Sequence, residues 1–286
     1  MLTKVTLAAT VISSLNNVMA KDFLPNMQKN LLPPDGTMWR GATIDGPDGG
    51  NWNGTDPDIF ERKFGEPLHI FRNFHNKSNP FMKEEYEGKW IEKGGIVFYS
   101  FQPDTWEPYT QASGSKDDEI RKYAQAVKQY SPHQIMVCPG YEPDLYLPET
   151  AGTSGKGREI RGTTKDFRDM RANFDRIFKE EGVDNVIWVM DFSWNIRDHP
   201  DLAVDLWPDV DNVSWLFWNM FQFSTIDTDV GDCVGGYKKI YQAMTDRSEK
   251  VPRWKDIPWG LGAWSIEDSV HVTQDKIDCI NGIKEI

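Results

Sequence analysis

Seven apolar runs, each too short for a helix, punctuate this chain at intervals that leave room for a helix between most of them. They are Met38 to Ile44, Leu68 to Asn73, Ile96 to Phe101, the run that begins at Ile135, Asn185 to Asp191, Val213 to Phe221 and Pro258 to Trp264. Most are continuously apolar rather than alternating, the pattern of strands buried on both faces in a parallel sheet covered by helices. Amphipathic segments at Lys83–Lys93, Asp117–Tyr130, Thr164–Gly182, Tyr237–Thr245 and Gln274–Ile283 supply the helices. The pattern predicts an α/β chain of the (β/α)8 TIM-barrel class with the eighth strand missing or truncated. A short stretch near one terminus, or a longer natural C-terminus, would supply that strand.

The first 20 residues have another explanation. Lys4 is followed by the mainly apolar Val5–Leu15, and Val18-Met19-Ala20 offers a small residue for cleavage, so residues 1–20 are expected to be a signal peptide and the mature protein to be secreted. Residues 21–36 are irregular and end in Pro33-Pro34-Asp35-Gly36, leaving 37–286 as one barrel domain. No later run reaches the ~20 apolar residues that a membrane span needs, so no membrane partner is expected. A net charge of −12 and a pI near 4.9 repel phosphate backbones, which argues against nucleic acid. The three cysteines and five histidines show no metal-ligand spacing, so no metal and no cofactor are expected. Cys233 and Cys279 are the expected disulfide pair, because Cys138 lies inside an apolar run. Sequons occur at Asn53, Asn76 and Asn212. A monomer is expected.

The run Ile135-Met-Val-Cys-Pro-Gly-Tyr-Glu-Pro-Asp144 delivers a carboxylate to a strand's carboxyl end, where parallel α/β proteins do their chemistry. Glu142 is therefore the leading catalytic candidate, and a capping or surface Glu is the alternative. Asp191 also ends a buried run, and Glu267 lies just beyond the last one; both are catalytic candidates, against plainer readings as a loop cap and an exposed helix-start Glu. Twelve Trp is a high count, and aromatic faces stack on sugar rings, although most large aromatics serve the core. Trp106, Trp194, Trp218 and Trp264, at or just past strand ends, are candidate sugar platforms. Arg72, Asn73, His75 and Asn219, with Arg40, are candidates to bind hydroxyls or a uronate. For Arg72 a buried ion pair with a barrel carboxylate is an equal alternative.

The stretch Phe167-Arg-Asp-Met-Arg-Ala-Asn-Phe-Asp-Arg-Ile-Phe-Lys-Glu-Glu-Gly-Val-Asp-Asn-Val-Ile-Trp-Val-Met190 resembles the helix and following strand of glycoside hydrolase family 26, the β-mannanase-like barrel glycosidases. Leu206-Trp-Pro-Asp-Val-Asp-Asn-Val-Ser-Trp215 is similar to that family's approach to strand six. The resemblance implies a TIM barrel with a polysaccharide cleft across its carboxyl face, and it puts Glu142 where such enzymes keep the general acid/base. Two positions depart from the family. Tyr141 replaces the His that usually precedes the acid, and Gly260-Leu-Gly-Ala-Trp-Ser265 stands where a nucleophilic Glu should end strand seven.

The expected function is thus a secreted glycoside hydrolase acting on a β-linked, mannan-like polysaccharide. Two carboxyls ~5 Å apart would give retention, and roughly 6.5–9.5 Å would give inversion, with Asp191 as base. Two alternatives remain at this level. A carbohydrate-binding barrel without activity would keep the Trp platforms, and a lyase acting on a uronate polymer would use Tyr141 or His75 with Arg72.

Overall fold

The computed structural model describes Leu31, Pro33 and residues 39–43, 61, 68–75, 80–110, 116–150, 159–210, 212–222 and 233–266, with backbone alone at 221–222, 233–234 and 264–266. Within these residues seven strands pair in sequence order, every pair parallel. They are β1 (Gly41–Thr43), β2 (Ile70–His75), β3 (Ile96–Phe101), β4 (Ile135–Pro139), β5 (Val186–Phe192), β6 (Val213–Gln222) and β7 (Trp259–Ile266). The sheet curls into a nearly closed barrel with one unsealed seam, between β7 and β1. All seven runs picked out in the sequence are strands, most with ends displaced by a residue or more; the first, expected over Met38–Ile44, pairs over Gly41–Thr43 among the described residues. The signal segment, Asn53, Asn76, the helix at Gln274–Ile283, Glu267 and Cys279 lie outside the described residues, so the Cys233–Cys279 pairing does too.

The helices are α1 (Lys89–Glu92), entered through a π turn at Glu84–Gly88, α2 (Glu107–Thr110), α3 (Asp117–Lys128), α4 (Thr164–Glu180), α5 (Pro200–Asp205) and α6 (Cys233–Asp246). The best formed is α4. Thr163 starts it with a capping box, its Oγ1 accepting from the Asp166 amide at 3.2 Å while its own amide donates to Asp166 Oδ2 at 2.8 Å. Gly182, at φ 65°, supplies the left-handed residue that stops it. Between these ends Phe167, Met170, Phe174, Ile177 and Phe178 recur at helical spacing and are fully buried against the strands. Burying each side chain of this size stabilises by roughly 1.5–3 kcal/mol.

Alternation along the strands divides the apolar residues into two cores. The outward set (Phe71, Val97, Tyr99, Val137, Trp188, Leu216, Trp218) packs under the helices, and the inward set (Ile70, Ile96, Phe98, Met136, Cys138, Ile187, Val189, Trp215, Phe217) fills the barrel. Leu31 and Trp39 close the amino end of the barrel, joined by a bond from Trp39 Nε1 to the Leu31 carbonyl at 2.6 Å. The interior is therefore a packed core, which leaves the carboxyl mouth as the place where such barrels carry a site.

Phe174 ties the helical layer together, with ring centroids 5.6 Å from Phe101 and 6.0 Å from Tyr109. Truncation of Phe174 to Ala is expected to cost about 3–5 kcal/mol in urea unfolding, because the surrounding rings cannot collapse into the void.

Candidate functional site

At the mouth the inward row stops being apolar. Arg72 from β2 reaches across the barrel, its Nη2 bonded to Asp191 Oδ2 of β5, its Nη1 3.1 Å from Asn219 Oδ1 of β6 and its Nε 3.1 Å from Ser100 Oγ of β3. Asn219 Nδ2 donates to the same Asp191 oxygen at 3.2 Å. The guanidinium lies 4.3 Å from the ring centroids of both Phe74 and Phe98. Four strands are thus joined through one buried ion pair. Burial pushes the Asp191 carboxyl above its ordinary pKa, and Arg72 and Asn219 act against that shift.

The inner face of β7 fits around this network. Its pairing with β6 slips at Trp218/Asn219, leaving one extra residue on β7 at Gly262. A Cβ there would stand 2.6 Å from Asn219 Oδ1 and Asp191 Oδ1 and 2.7 Å from Arg72 Nη1. At Gly260 it would stand 2.5 Å from Phe217. Both glycines are close-approach residues, and neither position has room for a carboxylate.

Above this layer β4 ends in a tight turn. Gly140 (φ 72°) donates its amide to the Phe101 carbonyl at 2.9 Å, and Gln102 Nε2 donates to the Tyr141 carbonyl at 2.9 Å. Glu142 is half-buried in the left-handed region at φ 51°, ψ 46°, rare for a residue with a long side chain. Its amide donates to the Asp191 carbonyl at 2.8 Å, so the ion-paired residue also holds the candidate acid. Tyr141 packs edge-on to Phe74 at 4.9 Å, and both rings are half-buried at the rim.

A second buried carboxylate follows two residues later. Asp144 accepts from the Ser193 amide at 2.9 Å and from Ser193 Oγ, while its own carbonyl lies 3.4 Å from Asn195 Nδ2. Burial outweighs these bonds and raises its pKa to about 6. Ser193 in turn caps the short helical turn Trp194–Arg197, accepting from the Asn195 amide at 3.0 Å.

The structure brings Glu142, Arg72, Asn219 and Trp194 to the same end of the barrel, with Trp194 half-buried on the loop after β5. Asp191 lies inside the barrel rather than at its rim, with no exposed surface and its charge paired to Arg72. Asn73 and His75 point outward from β2. Asn73 Nδ2 at 2.7 Å and His75 Nε2 at 2.8 Å both meet the fully buried Glu87, so neither reaches the mouth. Burial acts to raise the Glu87 pKa, but the bonds from His75 and the Lys83 amide prevail and hold it below its ordinary value. Trp106 is wholly buried edge-on against Phe167, and Trp218 is buried against Trp259 under the helical layer; both are core residues instead of platforms. Trp264 belongs to β7, with its side chain outside the described residues, and Arg40 is exposed before β1, at the amino end. Cys138 is a free thiol inside the barrel, and burial pushes its pKa up to about 12. Sequence reasoning missed Asp144 and Ser193 as site residues. The one available hint was that Asp144 follows Glu142-Pro143 directly.

No family model and no curated protein matches the chain. Solved structures do. The family 26 domain of an endo-β-mannanase/endo-β-glucanase from Prevotella bryantii superposes with a TM-score of 0.58 over 87% of this chain and 82% of its own, at 13% identity. The catalytic domain of an endo-β-1,4-mannanase of the same family from Bacillus sp. JAMB-750 gives a TM-score of 0.60 over 87% and 73% at 11% identity. A family 26 protein from a Muricauda species gives 0.58 over 86% and 76% at 10% identity. The fold is a divergent family 26-like barrel. At these identities the likeness establishes the architecture of the family 26-like barrel and leaves its chemistry to be argued from the residues.

Two outcomes test the buried charges. Arg72→Met is expected to cost about 3–5 kcal/mol in chemical denaturation, because it strands Asp191, and Arg72→Met/Asp191→Leu should recover most of that loss. Asp144 binds a proton more tightly folded, at about 6, than at its ordinary 3.8, so the stability it contributes is present below pH 4 and lost as pH rises to about 6. Relative to Asp144→Asn, the native protein should therefore lose about 3 kcal/mol between pH 4 and 7 in urea titrations.

Proposed function

We propose that this protein is a secreted glycoside hydrolase that acts on a β-linked, mannan-like polysaccharide, with Glu142 as its general acid/base. The observation that carries this reading is the half-buried Glu142 just past the carboxyl end of β4 in a family 26-like barrel, with the half-buried aromatics Phe74, Tyr141 and Trp194 at the same end. A carboxyl group at that place can protonate a departing glycosidic oxygen, and exposed faces of the rim rings can stack on sugar faces. The neighbours' printed activities, endo-β-mannanase and endo-β-glucanase, support the substrate class.

The second carboxylate in this reading is Glu267, which follows Ile266, the last residue of β7. Asp191 is unsuited to that role. An ion-paired carboxylate with no exposed surface can neither attack an anomeric carbon nor activate a cleft water. Arg72 is equally committed, which weakens the lyase alternative, since a uronate would have to displace Asp191 to be neutralised.

A second reading has its own support. The glycines on the inner face of β7 favour a barrel that binds polysaccharide without cleaving it. Reducing-end release from a panel of β-mannans and β-glucans separates the two. Under the hydrolase reading Glu142→Gln lowers kcat about 10²–10⁴-fold on any substrate cleaved, and Glu267→Gln does the same. Binding with no product release by the native protein would establish the second reading instead.

A further inference from the structure

Asp144 serves no part of the acid chemistry just described, yet it is wholly buried at the junction of the loops that follow β4 and β5. On one side it is two residues from Glu142 and separated from it only by Pro143, whose ring fixes the backbone between them. The turn is short and stiff, with the Leu145 amide donating to the Glu142 carbonyl and the Tyr146 amide to that of Pro143, both at 3.1 Å. On the other side Asp144 holds Ser193 by amide and hydroxyl, and Ser193 caps the turn that begins with Trp194. Rotation of the β4 loop would break the Ser193 bonds and leave a carboxylate without partners in the core. Left-handed backbone at Glu142 needs such over-determination from its surroundings.

We propose that Asp144 is a positioning residue, whose bonds to Ser193 clamp the β4 loop to the β5 loop and so fix the direction in which the Glu142 carboxyl enters the cleft, together with the rim aromatic Trp194. The inference rests on the reading of Glu142 as the acid. The charged group that faces Asp144 from the neighbouring strand is Asp191, which favours the protonated form of Asp144. Asp191 also grips the Glu142 amide through its carbonyl, so the clamp has two points: a backbone bond before Pro143 and a side-chain bond after it.

The test uses the full chain with carbon-13 in its glutamate carboxyls and Glu142→Gln to assign the Glu142 signal. In Asp144→Ala the Glu142 titration midpoint should move by about half a pH unit or more, or its resonance should split into several environments. Asp144→Asn keeps an acceptor for the Ser193 amide and should restore more than half of the native behaviour. On a β-mannan that the native protein cleaves, kcat of Asp144→Ala should fall about tenfold or more, with KM changed by less than about twofold. If Asp144→Ala does not fold, Ser193→Ala removes one of the two bonds and is read in the same way. An unaltered Glu142 titration in the folded variant overturns the positioning role, whatever the hydrolysis assay gives. A native protein whose Glu142 signal depends on Asp144, but which cleaves no polysaccharide, keeps the clamp and sinks the hydrolase reading alone.

Discussion

The buried ion pair between Arg72 and Asp191 is the constraint around which the mouth of this barrel is built. Removing two charges from water costs several kcal/mol each, and hydrogen bonds offset part of that cost. Each nitrogen of the guanidinium has a partner, whereas on Asp191 the bonds converge on Oδ2 and Oδ1 has none among the described residues. Ser100 and Asn219 supply the further bonds, and the faces of Phe74 and Phe98 flank the guanidinium. The consequences spread outward. Strands β2, β3, β5 and β6 are cross-linked from inside at their carboxyl ends, and Asp191's carbonyl receives the Glu142 amide. A residue held by a buried ion pair thus becomes the fixed point from which the candidate acid is hung.

The barrel was legible in the sequence because its signal is redundant. Seven apolar runs and the periodic face of α4 each point to a buried parallel strand or a covering helix, and an error in one is outvoted by the rest. The ends were less legible. Met38 to Ile44 looked like a full strand, yet among the described residues the ladder covers Gly41–Thr43, with the Arg40 carbonyl accepting from the His69 and Ile70 amides just before it. The short helices α2 and α5 gave no periodic signal of their own.

Side-chain direction was the site information that sequence lacked. Arg72, Asn73 and His75 lie within four residues on one strand, but alternation sends Arg72 into the barrel and the other two out to Glu87. A one-residue error in phase exchanges those fates. Trp106 and Trp218 show the same blindness. Position near a strand end says nothing about whether a ring meets sugar or Phe167 and Trp259. Glu142 could be found because both strand geometry and Pro143 mark the end of β4, whereas Asp144 was invisible because its importance comes from Ser193, distant in sequence.

The glycines of β7 and the ion pair explain each other. Gly262 occupies the extra position of a bulge, and its missing side chain is what lets Arg72 Nη1, Asn219 Oδ1 and Asp191 Oδ1 crowd against the strand. A Glu at 262 or 260 would have to evict either that network or Phe217, and eviction of one charged partner leaves the other stranded in the core. The inner face of β7 therefore has to be small as long as Arg72 and Asp191 are paired. Positions 260 and 262 of β7 cannot carry a carboxylate beside the pair. The glycines thus mark a barrel whose interior at this end is given to a structural ion pair.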